Sequence, residues 1–177
     1  MRGFILSLLL GLFILIGCSS KNTVQIIENK KITKGDVFVL LVRTNKVNSN
    51  YVMTDGIYIL PTEEWIAGDF SKQFGKFLFD NYLLQGEEQN WDCDDFSRAC
   101  AFFASKIYHN SSIKQVFTAI PCGEFFYFKD TGEEHAINFF ITLDKFNNTK
   151  LIFYEPQNQT IVHLSEMEIK TCTFWKL

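Results

Sequence analysis

Three side chains that are far apart along the sequence have the types needed for nucleophilic acyl transfer: a thiol, an imidazole and a carboxylate. The thiol is Cys93, in the stretch NWDCDDF, where an amphipathic helix is expected to begin. The backbone N–H groups and the dipole of a helix N-terminus favour a thiolate. The neighbouring Asp92, Asp94 and Asp95 oppose ionisation, so a reactive thiol at this position would need an imidazolium partner.

His135 is the histidine best placed to be that partner. Of the three histidines in the chain, His109 follows a predicted helix end as a charge complement, and His163 has no evident partner. His135, in GEEHAINFF, stands where a loop gives way to a strand, from which a side chain can reach a helix N-terminus. Glu155 ends another strand before Pro156, and its carboxylate could accept the second ring N–H of the imidazole.

A contact between His135 and Glu155 depends on the register of a predicted hairpin. The two residues are directly opposite when the turn is centred near Lys145, whereas the apolar pattern centres the turn near residue 147. A β-bulge could absorb this difference.

Two helices are predicted to position these groups. Asp92 is the expected N-cap of the helix that begins near Cys93, and Asp95 could complete a capping box. Its apolar face is formed by residues at helical spacing: Phe96, Ala99, Cys100, Phe103, Ala104, Ile107 and Tyr108. An earlier helix is expected to begin at Thr62 and to continue towards Leu84, with interruptions at its glycines.

The remaining apolar runs predict strands. They are Asp36 to Val42, Gly56 to Leu60, Gln115 to Ile120, Phe125 to Phe128, Ala136 to Leu143 and Leu151 to Glu155, with edge strands at Ile161 to Leu164 and Thr171 to Trp175. Because the main helices precede most of the strands, the pattern favours an α+β domain with an antiparallel sheet.

The first residues, MRGFILSLLLGLFILIGCSS, are typical of an export signal. Residues 15–18 resemble a bacterial lipobox, which implies cleavage after residue 17 and a lipid anchor on Cys18; a plain secretory signal and an uncleaved anchor are the alternatives. We expect a signal peptide at 1–17, a tether at 18–35 and one domain at 36–177. Ser19 and Ser20 carry no acidic retention signal, which favours the outer membrane of a bacterial envelope over the inner membrane.

Composition limits the partners and the disulfides. The net charge of −3 gives no basic surface for nucleic acid, so no nucleic-acid partner is expected. Cys93 and Cys100 are about 10 Å apart along one predicted helix, which excludes a disulfide between them. A disulfide between Cys122 and Cys172 stays open, as does the oligomeric state.

Three motifs occur in the order of papain-like cysteine enzymes. CDDF at residues 93–96, HAIN at 135–138 and YEPQNQ at 154–159 resemble those of the protease domain family typified by the Marasmius mushroom agglutinin, as does DGIYILPTEEW at 55–65. The resemblance extends from about Asp36 to the C-terminus. It implies a papain-like fold in which the nucleophile helix packs on an antiparallel sheet that carries the histidine and the glutamate.

The same resemblance implies a cysteine peptidase or amidase, with transamidation as a related outcome, acting on a peptide or protein substrate. Cys93 would be the nucleophile, His135 the general base and acid, and Glu155 the orienting carboxylate. Three residues just upstream of Cys93 are candidates for the side-chain donor of the oxyanion hole, Gln85, Gln89 and Trp91, and Gln89 is the preferred one. The chain has no room for the family's sugar-binding half, so lectin activity is not expected.

The family also implies a calcium requirement, although the chemistry itself needs no cofactor. Five acids offer the hard oxygen ligands that Ca²⁺ prefers: Asp92, Asp94, Asp95, Glu133 and Glu134. Helix capping and solvated charge are the alternative roles for them. The rival to the enzyme hypothesis is an envelope lipoprotein that uses the fold as a binding or immunity module without catalysis.

Overall fold

The computed structural model describes residues 26–45, 50–83, 91–111 and 113–177. The predicted signal peptide, Cys18 and Gln89 lie outside these ranges. The strands are β1 (Ile26–Thr33), β2 (Asn50–Val52), β3 (Ile57–Pro61), β4 (Thr118–Ala119), β5 (Cys122–Phe128), β6 (Glu134–Leu143), β7 (Thr149–Glu155), β8 (Thr160–Val162) and β9 (Phe174–Lys176). The helices are α1 (Lys34–Asn45), α2 (Glu63–Trp65), α3 (Ser71–Asp80), α4 (Cys93–Asn110) and α5 (Glu166–Lys170), with a π-helical segment (Ile66–Phe70) between α2 and α3.

The described strands form two sheets. The larger has the order β2-β9-β5-β6-β7-β8, and the smaller has the order β1-β3-β4. Most neighbouring strands are antiparallel, but β2 pairs with β9 and β3 pairs with β4 in parallel. A bridge between Thr62 and Leu143 connects the start of α2 to the far end of β6.

The larger sheet has a hydrophobic core on each face. Because the side chains of a strand alternate between faces, one strand contributes to both cores. Phe140 of β6 joins the core that α3 and α4 build on one face. Ile137, Phe139 and Ile141 of the same strand join a second core, which contains Val37 and Leu41 of α1. Strand β6 therefore lies in the middle of the molecule, and its first residues determine where the predicted site is located.

Helix α4 begins where the sequence predicts. Asp92 is its N-cap, and its side chain accepts a hydrogen bond from the Asp94 N–H at 3.3 Å. Thr62 likewise caps the earlier helix by accepting a hydrogen bond from Trp65 N–H. Asp95 does not complete a capping box; its carboxylate pairs with Arg98 at 3.3 Å.

The prediction of a strand at Asp36 to Val42 is wrong, because this segment lies within α1. Thr33 and Asp36 begin the helix by reciprocal capping: the Asp36 N–H donates to Thr33 Oγ1 at 3.2 Å, and the Thr33 N–H donates to Asp36 Oδ2 at 3.3 Å. Strand β1 lies in the segment predicted to be a tether and pairs with β3.

The predicted fold class is also corrected. The expected arrangement was papain-like, with helices first and one antiparallel sheet second. The described chain instead begins with a strand, divides its strands between two sheets and includes parallel pairs in both. Within the described ranges, no helix is long and apolar enough to cross a membrane.

Candidate functional site

Helix α4 is attached to β6 by hydrogen bonds from two buried side chains. The Ser97 hydroxyl donates to the Ile137 carbonyl at 3.0 Å. The Asn138 amide donates to the Ser97 carbonyl at 2.9 Å and to the Gly123 carbonyl on β5 at 3.1 Å. These contacts fix the first turns of α4 against the start of β6. As a result, the Cys93 sulfur receives a hydrogen bond from the backbone N–H of Ala136.

His135 and Glu155 form a close pair at the same end of the sheet. His135 Nε2 lies 2.7 Å from Glu155 Oε2, and their side chains are 9% and 12% exposed. Asn138 pairs with Tyr154 and Leu143 with Thr149, so the hairpin is centred at residue 146. Glu155 therefore reaches His135 diagonally across the two strands, a spacing that long side chains can bridge. The paired part of β6 and β7 contains no bulge.

The half-buried Cys93 thiol is held in its neutral form. Burial is the largest influence and raises the pKa of Cys93, and the negative charges of Asp92 and Asp94 raise it further. The hydrogen bond from the Ala136 N–H acts in the opposite direction but does not reverse the shift. A thiol acts as a nucleophile only as the thiolate, so these surroundings weaken the reactivity of Cys93.

Tyr127 on β5 lies at the centre of this end of the molecule. Its ring packs edge-to-face on His135, with ring centroids 5.8 Å apart. Burial raises the pKa of Tyr127, and the negative charges of Glu168, Glu155 and Glu133 add to the effect. Acidic groups from several elements thus lie near one buried phenol. We call this region, which includes Tyr127, Glu133 and Glu155, the acidic end of the sheet.

Asp92, Asp94 and Asp95, the acidic triplet, form a compact group beside Cys93. Each offers an oxygen within 4.8 Å of the others, and carboxylate oxygens are the ligands that Ca²⁺ prefers. The hydrogen bond between the carboxyl groups of Asp92 and Asp94 lowers the pKa of Asp92 and raises that of Asp94. Arg98 approaches Asp94 to 2.5 Å and Asp95 to 3.3 Å and would compete with a cation. The donor set fits calcium in its chemistry, and calcium binding stays a prediction.

The other two histidines of the chain lie in other parts of the structure. Gln89 falls outside the described ranges. His109 is in the last turn of α4, and His163 borders a pocket of about 350 Å³ between α1, β7 and β8. No disulfide joins the cysteines of the described residues, so the open pairing of Cys122 with Cys172 is not formed in this structure.

Sequence reasoning missed the roles of Asn138 and Tyr127. The motif HAIN contains Asn138, but only its burial and its two donated hydrogen bonds show that it connects α4 to the sheet. Tyr127 belongs to an aromatic run, GEFFYF, which predicts only a strand. Both roles depend on contacts with other elements of the fold, which the local sequence does not show.

Comparison with known proteins gives structural matches only. No family model matches this sequence, and no curated protein matches it. One similar solved structure is the PSL1a–E64 complex, with a TM-score of 0.63 and 23% identity over 83% of this chain and 50% of that chain. Another is Polyporus squamosus lectin bound to the human-type influenza-binding epitope Neu5Aca2-6Galb1-4GlcNAc, with a TM-score of 0.61 and 22% identity over 83% of this chain and 49% of that chain.

These matches correct the family assignment. The similar structures are those of a lectin, and no family model places the chain among the papain-like cysteine proteases. The assignment to that family and the cysteine hydrolase activity inferred from it are therefore withdrawn. The present chain spans about half the length of each matched chain, and at this level of identity the likeness shows the fold alone.

Proposed function

We propose that this chain is a binding module whose acidic end receives a positively charged segment of a peptide or protein partner. The observation that carries the proposal is the state of Cys93. Burial and the charges of Asp92 and Asp94 raise the pKa of its thiol. The same carboxylates that weaken a nucleophile provide an attractive surface for a cationic ligand.

The charge at this end comes from separate parts of the chain. The acidic triplet begins α4, Glu134 begins β6, and Glu155 ends β7. Lys129 and Arg98 each form ion pairs with neighbouring acids. Complementary charge of this kind accelerates association and selects partners more than it contributes raw affinity.

His135 and Glu155 give the binding surface a fixed wall. Their side chains are mostly buried and joined at 2.7 Å, and His135 also packs on Tyr127. A wall that is ordered before binding reduces the entropy lost when a ligand is immobilised. In this proposal the pair orients the surface and transfers no proton.

The direct test is titration with a lysine-rich peptide and with an acidic peptide of the same length. Glu134 is exposed beside His135, so Glu134→Gln should weaken binding of the basic peptide about two- to fivefold, the range of one exposed ion pair. The matched control is Glu64→Gln, which removes an exposed carboxylate near the far end of β6. Equal binding of both peptides, or equal effects of both variants, would refute the proposal.

A second candidate ligand is a glycan, because one similar structure is a lectin bound to a glycan epitope. The acidic end would repel the carboxylate of a sialylated ligand, so a neutral glycan is the class to test here. Binding on a neutral-glycan array that is insensitive to salt and to Glu134→Gln would favour this candidate over the basic peptide.

We further propose that the module is displayed in a bacterial envelope, on the outer membrane, by a lipid anchor on Cys18. The lipobox-like residues 15–18 support this proposal. Mass spectrometry of the membrane fraction should find acyl chains on Cys18 and none after Cys18→Ala. Release of the wild-type chain into the soluble fraction, without acylation, would contradict it.

A further inference from the structure

Helix α1 leaves apolar side chains uncovered on its outer face. Val37 and Leu41, on its inner face, are completely buried in the second core. Phe38, Val39 and Val42 are instead 43%, 45% and 39% exposed. Residues three and four apart lie side by side on a helix, so Val42 adjoins both of the others. We call Phe38, Val39 and Val42 the outer stripe of α1.

Basic side chains flank the outer stripe towards both ends of the helix. Lys34 lies four residues before Phe38, and Arg43 lies four residues after Val39, so each adjoins a member of the stripe. Both cations are exposed. Lys34 Nζ donates to the Met53 carbonyl at 2.7 Å, and neither cation forms an ion pair with an acidic side chain of the described residues.

An apolar stripe with basic flanks is the composition of helix faces that lie in a membrane interface. The apolar side chains enter the boundary between headgroups and acyl chains, and Lys and Arg extend their charged ends to the lipid phosphates. Asp36, the acid of the first turn, is hydrogen-bonded to the Thr33 hydroxyl at 2.7 Å. Two cations against this one acid leave a net positive charge beside the stripe, which complements anionic lipid.

The lipid anchor proposed for Cys18 brings this face within reach of a bilayer. Seven residues separate Cys18 from Ile26, the first residue of β1, and they can span at most about 28 Å. Strand β1 ends at Thr33, and α1 begins at the next residue. A tether of this length gives the domain an effective concentration at the bilayer on the order of millimolar, so a weakly binding surface suffices.

We propose that the outer stripe of α1 docks on the anionic surface of the membrane that holds the lipid anchor, an inference that rests on the anchor proposed for Cys18. Docking there fixes the orientation of the domain. Helices α1 and α4 pack against opposite faces of the larger sheet, so α4 is turned away from the bilayer. The acidic triplet at the start of α4 then stays open to its partner.

The test places a polarity-sensitive fluorophore, nitrobenzoxadiazole, on the outer stripe of the full-length chain. The label is attached through Val39→Cys in a Cys93→Ala background, because the remaining described cysteines are buried: Cys100, Cys122 and Cys172. The labelled chain is reconstituted in vesicles of phosphatidylcholine with about one third phosphatidylglycerol. The matched control carries the label through Phe102→Cys, at an exposed position of α4 on the opposite side of the larger sheet.

The label at position 39 should show blue-shifted emission that brominated lipid quenches, whereas the label at position 102 should emit as in water. Water-like emission from position 39, on chains that sediment with the vesicles, would overturn the docking and leave the anchor intact. Failure of the chain to sediment with the vesicles would overturn both. A blue shift that disappears when the protein is diluted among more vesicles would assign the stripe to a second copy of the chain instead of the bilayer.

A charge placed within the stripe gives a second, independent readout. Val42→Glu should return the label at position 39 to water-like emission, because a carboxylate beside it is repelled by anionic lipid and resists transfer from water. Phe102→Glu is the matched control and should leave the blue shift unchanged. Both positions are exposed, so both variants should keep the fold, which circular dichroism checks. Equal effects of the two variants would contradict the docking.

Discussion

Replacement of Asn138 by alanine tests how the site is assembled. The Asn138 side chain donates to the carbonyls of Ser97 and Gly123, at 2.9 and 3.1 Å, from a position with no exposed surface. Asn138→Ala removes both hydrogen bonds, each of which contributes about 0.5–1.5 kcal/mol, and leaves a cavity at a fully buried position, which adds to the loss. The Asn138 Oδ1 atom has no partner among the described residues, so its removal recovers part of the loss. We expect a net decrease of about 3 kcal/mol in the free energy of unfolding.

Urea unfolding followed by fluorescence gives the free energy directly. Ser97→Ala is the matched control, because it removes one hydrogen bond to the same strand and should cost only about 1 kcal/mol. Alkylation of Cys93 should also become faster in Asn138→Ala, since the start of α4 is no longer fixed to β6. A loss below about 0.5 kcal/mol, within the range of ordinary surface substitutions, would refute the role assigned to Asn138.

Three further predictions concern packing, metal and pH. Gly123→Ala should destabilise the fold by about 1–3 kcal/mol, because a Cβ atom there would lie 2.4 Å from the Phe139 ring. Gly68→Ala is the control, because a Cβ atom at that position meets nothing within 4 Å. Equal melting temperatures of the two variants would contradict the prediction. Calcium should raise the melting temperature if it binds the acidic triplet, and replacement of all three acids by their amides should remove that increase; no response of the wild-type chain would exclude the site. Burial raises the pKa of Tyr58 to about 12 from 10.0. The stability that Tyr58 contributes is therefore fully present below pH 10.0 and is lost as the pH rises towards about 12. Phenolate absorbance and the free energy of unfolding, measured over the same pH range, should change together.

The local start signals of the helices could be predicted from sequence. Asp92 and Thr62 cap α4 and the earlier helix as expected, because capping depends on residues within one turn. The apolar run at residues 36–42 favours a strand, but its apolar residues also recur at helical spacing. Thr33 and Asp36 decide in favour of α1 by capping each other, and Thr33 lies in the segment predicted to be a tether.

Features that depend on distant partners could not be predicted. The hairpin between β6 and β7 is centred between the two predicted positions, so Glu155 reaches His135 diagonally. The parallel pairing of β2 with β9 joins residues far apart in sequence, and no local pattern specifies it.

The most direct measurement is the pH dependence of the rate at which iodoacetamide alkylates Cys93, followed by peptide mapping in the folded and the denatured chain. Burial and neighbouring acids hold this thiol protonated, so its titration midpoint should be higher in the folded chain than in the denatured one. E64, an epoxide that alkylates activated thiols, should leave Cys93 unmodified. A folded-state midpoint below that of the denatured chain, with an E64 adduct on Cys93, would contradict the account of this site as a binding surface.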